Sequence, residues 1–243
     1  MLGWQIFTHS VRLVWANRSI ALRISAVLYV VSAVFQVWTQ SLSVGPVEDA
    51  TQASGSGFLD LVFAAASLII SLWIAVAWHR YILMEEVPQG FLPKWHGDRM
   101  AAYFGRSILI MLIMVGIIVV SGLPLMIGLT GVVGGSVLVL GIIFAIFVFY
   151  RLCAVLPSTA MGSPITMAEA WAATVGTTGT IMVLLICMFG CALLMILPAT
   201  LLGAVSPALG IAYLVVAQWF FMMFGISIFT TFYGYFIEKR ELG

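Results

Sequence analysis

The sequence predicts an all-α integral membrane protein, with about six transmembrane helices in three hairpins plus an N-terminal interfacial amphipathic helix. Three observations carry that expectation. Of the 243 residues 63% are hydrophobic and 8% charged, whereas soluble domains are roughly half apolar and a quarter charged. Six apolar runs, at 19–40, 58–84, 100–120, 135–156, 179–202 and 208–237, reach the ~20 residues needed to cross ~30 Å of hydrocarbon. All ten Lys and Arg fall on one side of the alternating topology these runs define. Residues 1–243 therefore read as a single polytopic membrane domain, with no polar stretch left for a soluble one. A net charge of +1 carries no signature of nucleic-acid binding.

Before the first run, the segment 3–17 forms the interfacial helix. It puts Trp4, Phe7, Val11, Val14 and Trp15 on one helical face and Gln5, His9 and Arg12 on the opposite one. Such a helix lies among headgroups, rings down and charge up; packing against other helices accounts for the pattern equally well. Arg12, Arg18 and Arg23 precede an apolar run ending at "SLS", an arrangement shared with cleavable signal peptides. The basic region is too long for one and the run is long enough to span, so a retained helix is expected.

The connections set the orientation. "SVGPVEDATQASGSG" carries only Glu48 and Asp49, while "SGLPLMIGLTGVVGG" and "GAVSP" are uncharged. The opposite ends hold Arg12, Arg18 and Arg23, then Arg80, Lys94, Arg99 and Arg106, then Arg151, then Lys239 and Arg240. The positive-inside rule places that side, with both termini, in the cytoplasm.

Between the second and third runs, Trp78–Arg99 concentrates His79, Arg80, Glu85, Glu86, Lys94, His96, Asp98 and Arg99. Helix-end roles account for most of them. Asp98 suits the N-cap of the third span, where a carboxylate accepts unpaired N–H groups. His79 and Arg80 fall near the end of the second, where cations complement the dipole. Arg106 is placed to snorkel. The rival is a metal or hydrolytic site built from His79, Glu85, Glu86, His96 and Asp98, whose donors suit a divalent ion. No compact spacing such as H-E-x-x-H supports it, and Pro88 and Pro93 interrupt the stretch. There is no Ser/His/Asp set or glycine-rich phosphate cradle in a credible context. The sequence thus assigns no catalytic residue, no cofactor and no metal ligand.

Further on, Gly131 and Gly135 have the GxxxG spacing of close helix contacts, and Pro124 and Pro198 remove backbone hydrogen bonds near the outer ends of their spans. Cys153, Cys187 and Cys191 lie in or beside apolar runs without metal-type spacing, as small hydrophobes do. In "SPITMAEAWAATVGTTGT", Thr166 and Glu169 form a capping box that starts a short helix, and Gly176 and Gly179 bend the chain into the fifth span. Ser206 and Pro207 supply a cap and first-turn proline for the sixth.

The hairpins show a weak internal repeat. "WHRY" at Trp78–Tyr81 matches "FYRL" at Phe149–Leu152, with Pro93 and Pro164 each thirteen residues after the arginine; "LPLMIG" from Leu123 matches "LPATLLG" from Leu197. Such repeats would be related by an axis along the membrane normal. "YRLCAVLPSTAMGSPITMAEAWAATVG", Tyr150–Gly176, resembles a segment of bacterial inner-membrane proteins related to the glycerophosphoryl diester phosphodiesterase membrane domain. The matching positions are Arg151, Leu156, Pro157, Glu169, Ala170 and Trp171. The resemblance implies a multi-pass protein of the bacterial inner (plasma) membrane; with no catalytic domain attached, it implies no phosphodiesterase activity.

The functional expectation is a non-enzymatic membrane protein acting through helix packing or through binding of lipid or a partner. Its expected surroundings are the lipid bilayer and a membrane-protein partner or a second copy of itself. The alternative is a carrier or channel for a small uncharged or lipid-like solute, and the third reading is a metal-dependent membrane enzyme using the 78–99 loop. A wide polar cavity between spans would favour transport, and a filled core the first reading. Convergence of His79, His96 and a carboxylate would favour the enzyme.

Overall fold

A computed structural model describes residues 1–43, 53–129 and 131–242. These form α1 (Leu2–Ala16), α2 (Arg18–Ser43), α3 (Ala53–Met84), α4 (Gly97–Met126), α5 (Val132–Leu152), α6 (Val155–Met161), α7 (Met167–Ala173), α8 (Thr178–Val205) and α9 (Pro207–Phe236), with no strand among the described residues. Among the described residues six stretches are long and apolar enough to cross a membrane: Arg18–Trp38, Gly57–Met84, Gly97–Met126, Val132–Met161, Thr178–Val205 and Pro207–Phe236. The fold is that of a helical multi-pass membrane protein. Glu48 and Asp49 of the first connection lie outside the described residues.

The helices pair in chain order. α2 packs on α3, α4 on α5 and α8 on α9, and these are the three most extensive interhelical contacts. Small residues set the closest approaches. A Cβ on Gly141 of α5 would collide with the Ser121 side chain of α4, and one on Gly210 of α9 would come within 2.8 Å of the Gly203 Cα. The GxxxG pair works differently from expectation. Gly131 sits at the N-cap of α5 with φ +81°, a turn conformation that suits glycine, and Gly135 faces open space.

α1 forms as expected and docks along α8 and α9. Its buried stripe is Gly3, Ile6, Ser10 and Val14, while Trp4 and Trp15 remain 54% and 64% exposed. The stripe is thus rotated from the aromatic face read in the sequence. The reason is local: a Cβ on Gly3 would strike the Thr180 carbonyl oxygen and sit 2.9 Å from the Val183 Cβ. The smallest side chain, not the largest, governs how near α1 lies to α8.

α5 continues into α6 through Cys153 and Ala154, both in right-handed helical geometry. Residues Val155–Ala160 of α6 are all buried, packed among α3, α4 and α9.

α9 ties the bundle together with polar bonds. Ser227 accepts from the Trp78 indole at 2.9 Å, and Thr230 meets His79 Nδ1 at 2.8 Å. Ser10 donates to Thr231 at 3.0 Å, Trp219 donates to Ser25 at 2.7 Å, and Tyr29 donates to the Val215 carbonyl at 2.8 Å. In hydrocarbon no water satisfies such groups, so each must find a partner within the protein. Among the described residues, no buried side-chain nitrogen or oxygen lacks one.

Candidate functional site

The basic residues gather at one end of the bundle, and several of the arginines are engaged there by backbone carbonyls. Arg80 donates to Ala160 O at 3.1 Å, Arg106 to Ile165 O at 2.6 Å, Arg151 to Trp171 O at 2.6 Å and Arg240 to Leu83 O at 3.1 Å. Arg99 lies over Gly162, whose φ of +91° and lack of a Cβ make room for the guanidinium. Arg151 also stacks on the Trp171 ring, 3.7 Å from its centroid. Helix ends and tight turns leave carbonyls unpaired, and guanidinium groups with five N–H donors are suited to collect them. Arg106, expected to snorkel, reaches the Ile165 carbonyl of the connection at that end.

The segment these arginines hold begins α7 with the expected capping box. Thr166 Oγ1 accepts from the Glu169 N–H at 3.1 Å, and Glu169 accepts from the Thr166 N–H at 2.6 Å. The backbone bond from Thr166, then its hydroxyl, holds the Glu169 carboxyl below the usual carboxylate range.

The 85–96 connection forms a pinned loop. Glu85 takes a left-handed conformation with φ +56°, and the Glu86 N–H reaches back to Arg80 O at 3.4 Å. The Glu86 carboxylate then joins both ends of the loop. It accepts from Arg80 Nε at 2.7 Å and pairs with Arg80 Nη2 at 2.5 Å, while His96 Nε2 lies 2.8 Å from its other oxygen. Burial pushes the Glu86 carboxyl upward, but hydrogen bonds and charge from His96 and Arg80 outweigh that and hold it below the ordinary value. A cavity of about 440 Å³ lies under the loop, lined by Ile24, Ala77, Arg80, Glu86, Lys94 and His96 among others.

Two sequence-level assignments change. His79 is not a helix-end cation meeting water: it is fully buried, between Thr230 and the Tyr103 hydroxyl, 3.3 Å from Nε2. Its helix runs on past it to Met84, so the ring faces neighbours rather than the end. Asp98 does not cap α4. The helix starts at Gly97 with His96 at the N-cap, and Asp98 pairs with Arg99 at 3.2 Å. It still lies in the first turn, where an anion favours the dipole.

The five proposed metal donors are thus divided. His96 and Glu86 meet in the loop, and His79 is turned into the core. Among the described residues no three of His, Cys, Asp and Glu are grouped to hold a metal ion. The partners of His79 and Trp78 were overlooked in the sequence. Their signal is there: Ser227, Thr230 and Thr231 recur at helical spacing in an otherwise apolar span.

Two recesses occur within the spans. One of about 200 Å³, where α2, α3 and α9 meet, is lined by Tyr29, Ser32, Gln36, Ser71 and Gln218 among others. The other, about 340 Å³, is an apolar groove between α8 and α9. The chain matches no protein-family model, and comparisons with curated proteins and with solved structures find no match.

Proposed function

We propose that this chain is a non-enzymatic multi-pass protein of a bacterial inner membrane, with both termini cytoplasmic, that works by binding lipid or a membrane-protein partner. The observation that carries the reading is the tightly bonded interior. The buried polar groups of α1, α2, α3 and α9 are spent on one another, and the arginines of the basic end on carbonyls. A group already used to hold the fold is not available to move a solute or a proton. Supporting it, the positions that carry the resemblance to the phosphodiesterase-associated membrane domain include Arg151 and Trp171, which touch. The one-sided basic residues support the cytoplasmic orientation of the termini.

A second reading, a carrier for a small uncharged or lipid-like solute, is favoured by the recess that gathers Tyr29, Ser32, Gln36, Ser71 and Gln218. Its amides and hydroxyls suit a neutral polar group. Flux separates the two. Protein reconstituted in liposomes under an imposed pH gradient is expected to take up no solute from a panel of neutral metabolites, because a proton path needs titratable groups in mid-membrane. Saturable uptake would replace the binding role with transport, and uptake that collapses with the gradient would make it proton-coupled.

A further inference from the structure

The 85–96 loop does not extend away from the bundle. The Trp95 ring meets Trp73 edge-on at 4.8 Å, and the Trp73 indole donates to Lys94 O at 3.3 Å. Trp73 precedes Met84, the last residue of α3, by eleven positions, about 16 Å along the helix axis. The loop therefore folds back beside a membrane-spanning helix. Its side chains suit contact with lipid. Phe91 is 85% exposed and Trp95 53%, with Val87 and Leu92 also exposed. Apolar side chains on an aqueous loop gain nothing from exposure, whereas Trp at a membrane interface is favoured.

Under this apolar rim lies the cavity, with Ile24 and Ala77 among its apolar lining. Its size falls in the range of small-molecule sites. Arg80 and Lys94 line it together with one carboxylate, Glu86. Arg80 is committed to Glu86 and Ala160, and His96 to Glu86. The Lys94 ammonium has no hydrogen-bond partner among the described residues, and it lines the same space. An ammonium with three donors, set between a polar wall and an apolar rim, matches a phosphate with acyl chains attached.

We propose that the cavity under the 85–96 loop binds the headgroup of an anionic phospholipid. Lys94 binds the phosphate, the Arg80–Glu86–His96 cluster holds the wall in place, and Phe91, Leu92 and Trp95 lie against the chains. The proposal deepens the lipid-binding reading and rests on it.

The test measures phospholipid retained through detergent purification, after exchange into mixed phosphatidylcholine and phosphatidylglycerol. Wild-type protein is expected to enrich phosphatidylglycerol. Lys94→Gln lowers that enrichment about five-fold, the effect of one cation near an anionic lipid surface, and Phe91→Ser lowers it in parallel. Lys239→Gln, a charge removed elsewhere, leaves it unchanged. Lys94 makes no side-chain bond in the fold, so equal melting temperatures in phosphatidylcholine will show that the variant is folded. Equal phosphatidylglycerol enrichment in wild type and Lys94→Gln would overturn the site. Stabilisation by inorganic phosphate alone, without lipid preference, would overturn the lipid and leave a free anion. Flux in the same liposomes reports separately on the non-transport reading, whichever way Lys94→Gln behaves.

Discussion

Glu86 shows how one carboxylate can define a loop. It joins the last turns of α3, through Arg80, to the start of α4, through His96, so the residues 87–95 between Glu86 and His96 are closed at the neck. Charge-assisted bonds of this kind are among the stronger ones available. Because the folded carboxyl titrates below its ordinary value, its contribution is complete above the unfolded carboxylate range. It is lost as pH falls through the lowered folded value. We expect Glu86→Gln at neutral pH to raise amide hydrogen exchange across 87–95, and acidification of the wild type to do the same. Exchange in Glu86→Gln equal to wild type would mean that the loop is held by Trp73 and Trp95 alone.

Among the elements, α1 offers the sharpest contrast between large and small side chains. Its two tryptophans dominate any amphipathic reading, yet its docking depends on Gly3, which has no room for a methyl group against α8. Gly3→Ala is expected to destabilise the protein by about 1–3 kcal/mol, as overpacking does, and to expose α1 to protease. A melting temperature unchanged from wild type would show that α1 shifts at no cost. The same contrast explains what the sequence made legible. The Thr166–Glu169 box was readable because both partners lie within one turn, and the six spans because apolar length is a local property. The buried face of α1, the Gly141–Ser121 contact and the fold-back of Trp95 onto Trp73 depend on elements far apart in the chain. The His79 site was misread for that reason. Its position near a helix end suggested water, while its partners on α4 and α9 lie 24 and 151 residues away.

Across the whole molecule, one end is dense with ionic and carbonyl bonds, and the connections at the other hold no Lys or Arg. The orientation proposed from that asymmetry is open to direct measurement. In a background lacking Cys153, Cys187 and Cys191, cysteines at positions 48 and 89 should react with impermeant reagent from opposite sides of the membrane. Labelling of both from outside the cell would reject it.

The bonds made by α9 also bear on how the protein is made. Ser10, Ser25, Tyr29, Trp78 and His79 belong to α1, α2 and α3, which leave the ribosome first. Each finds its partner on α9, which leaves it after the other eight described helices. Ser10 and Ser25 also bond within their own helices and His79 also meets Tyr103, but the Trp78 indole and the Tyr29 hydroxyl wait for α9. A chain stalled before Pro207 would present the cell with a recognisable defect: polar atoms stranded in hydrocarbon, the kind of feature that marks an unfinished membrane protein for removal.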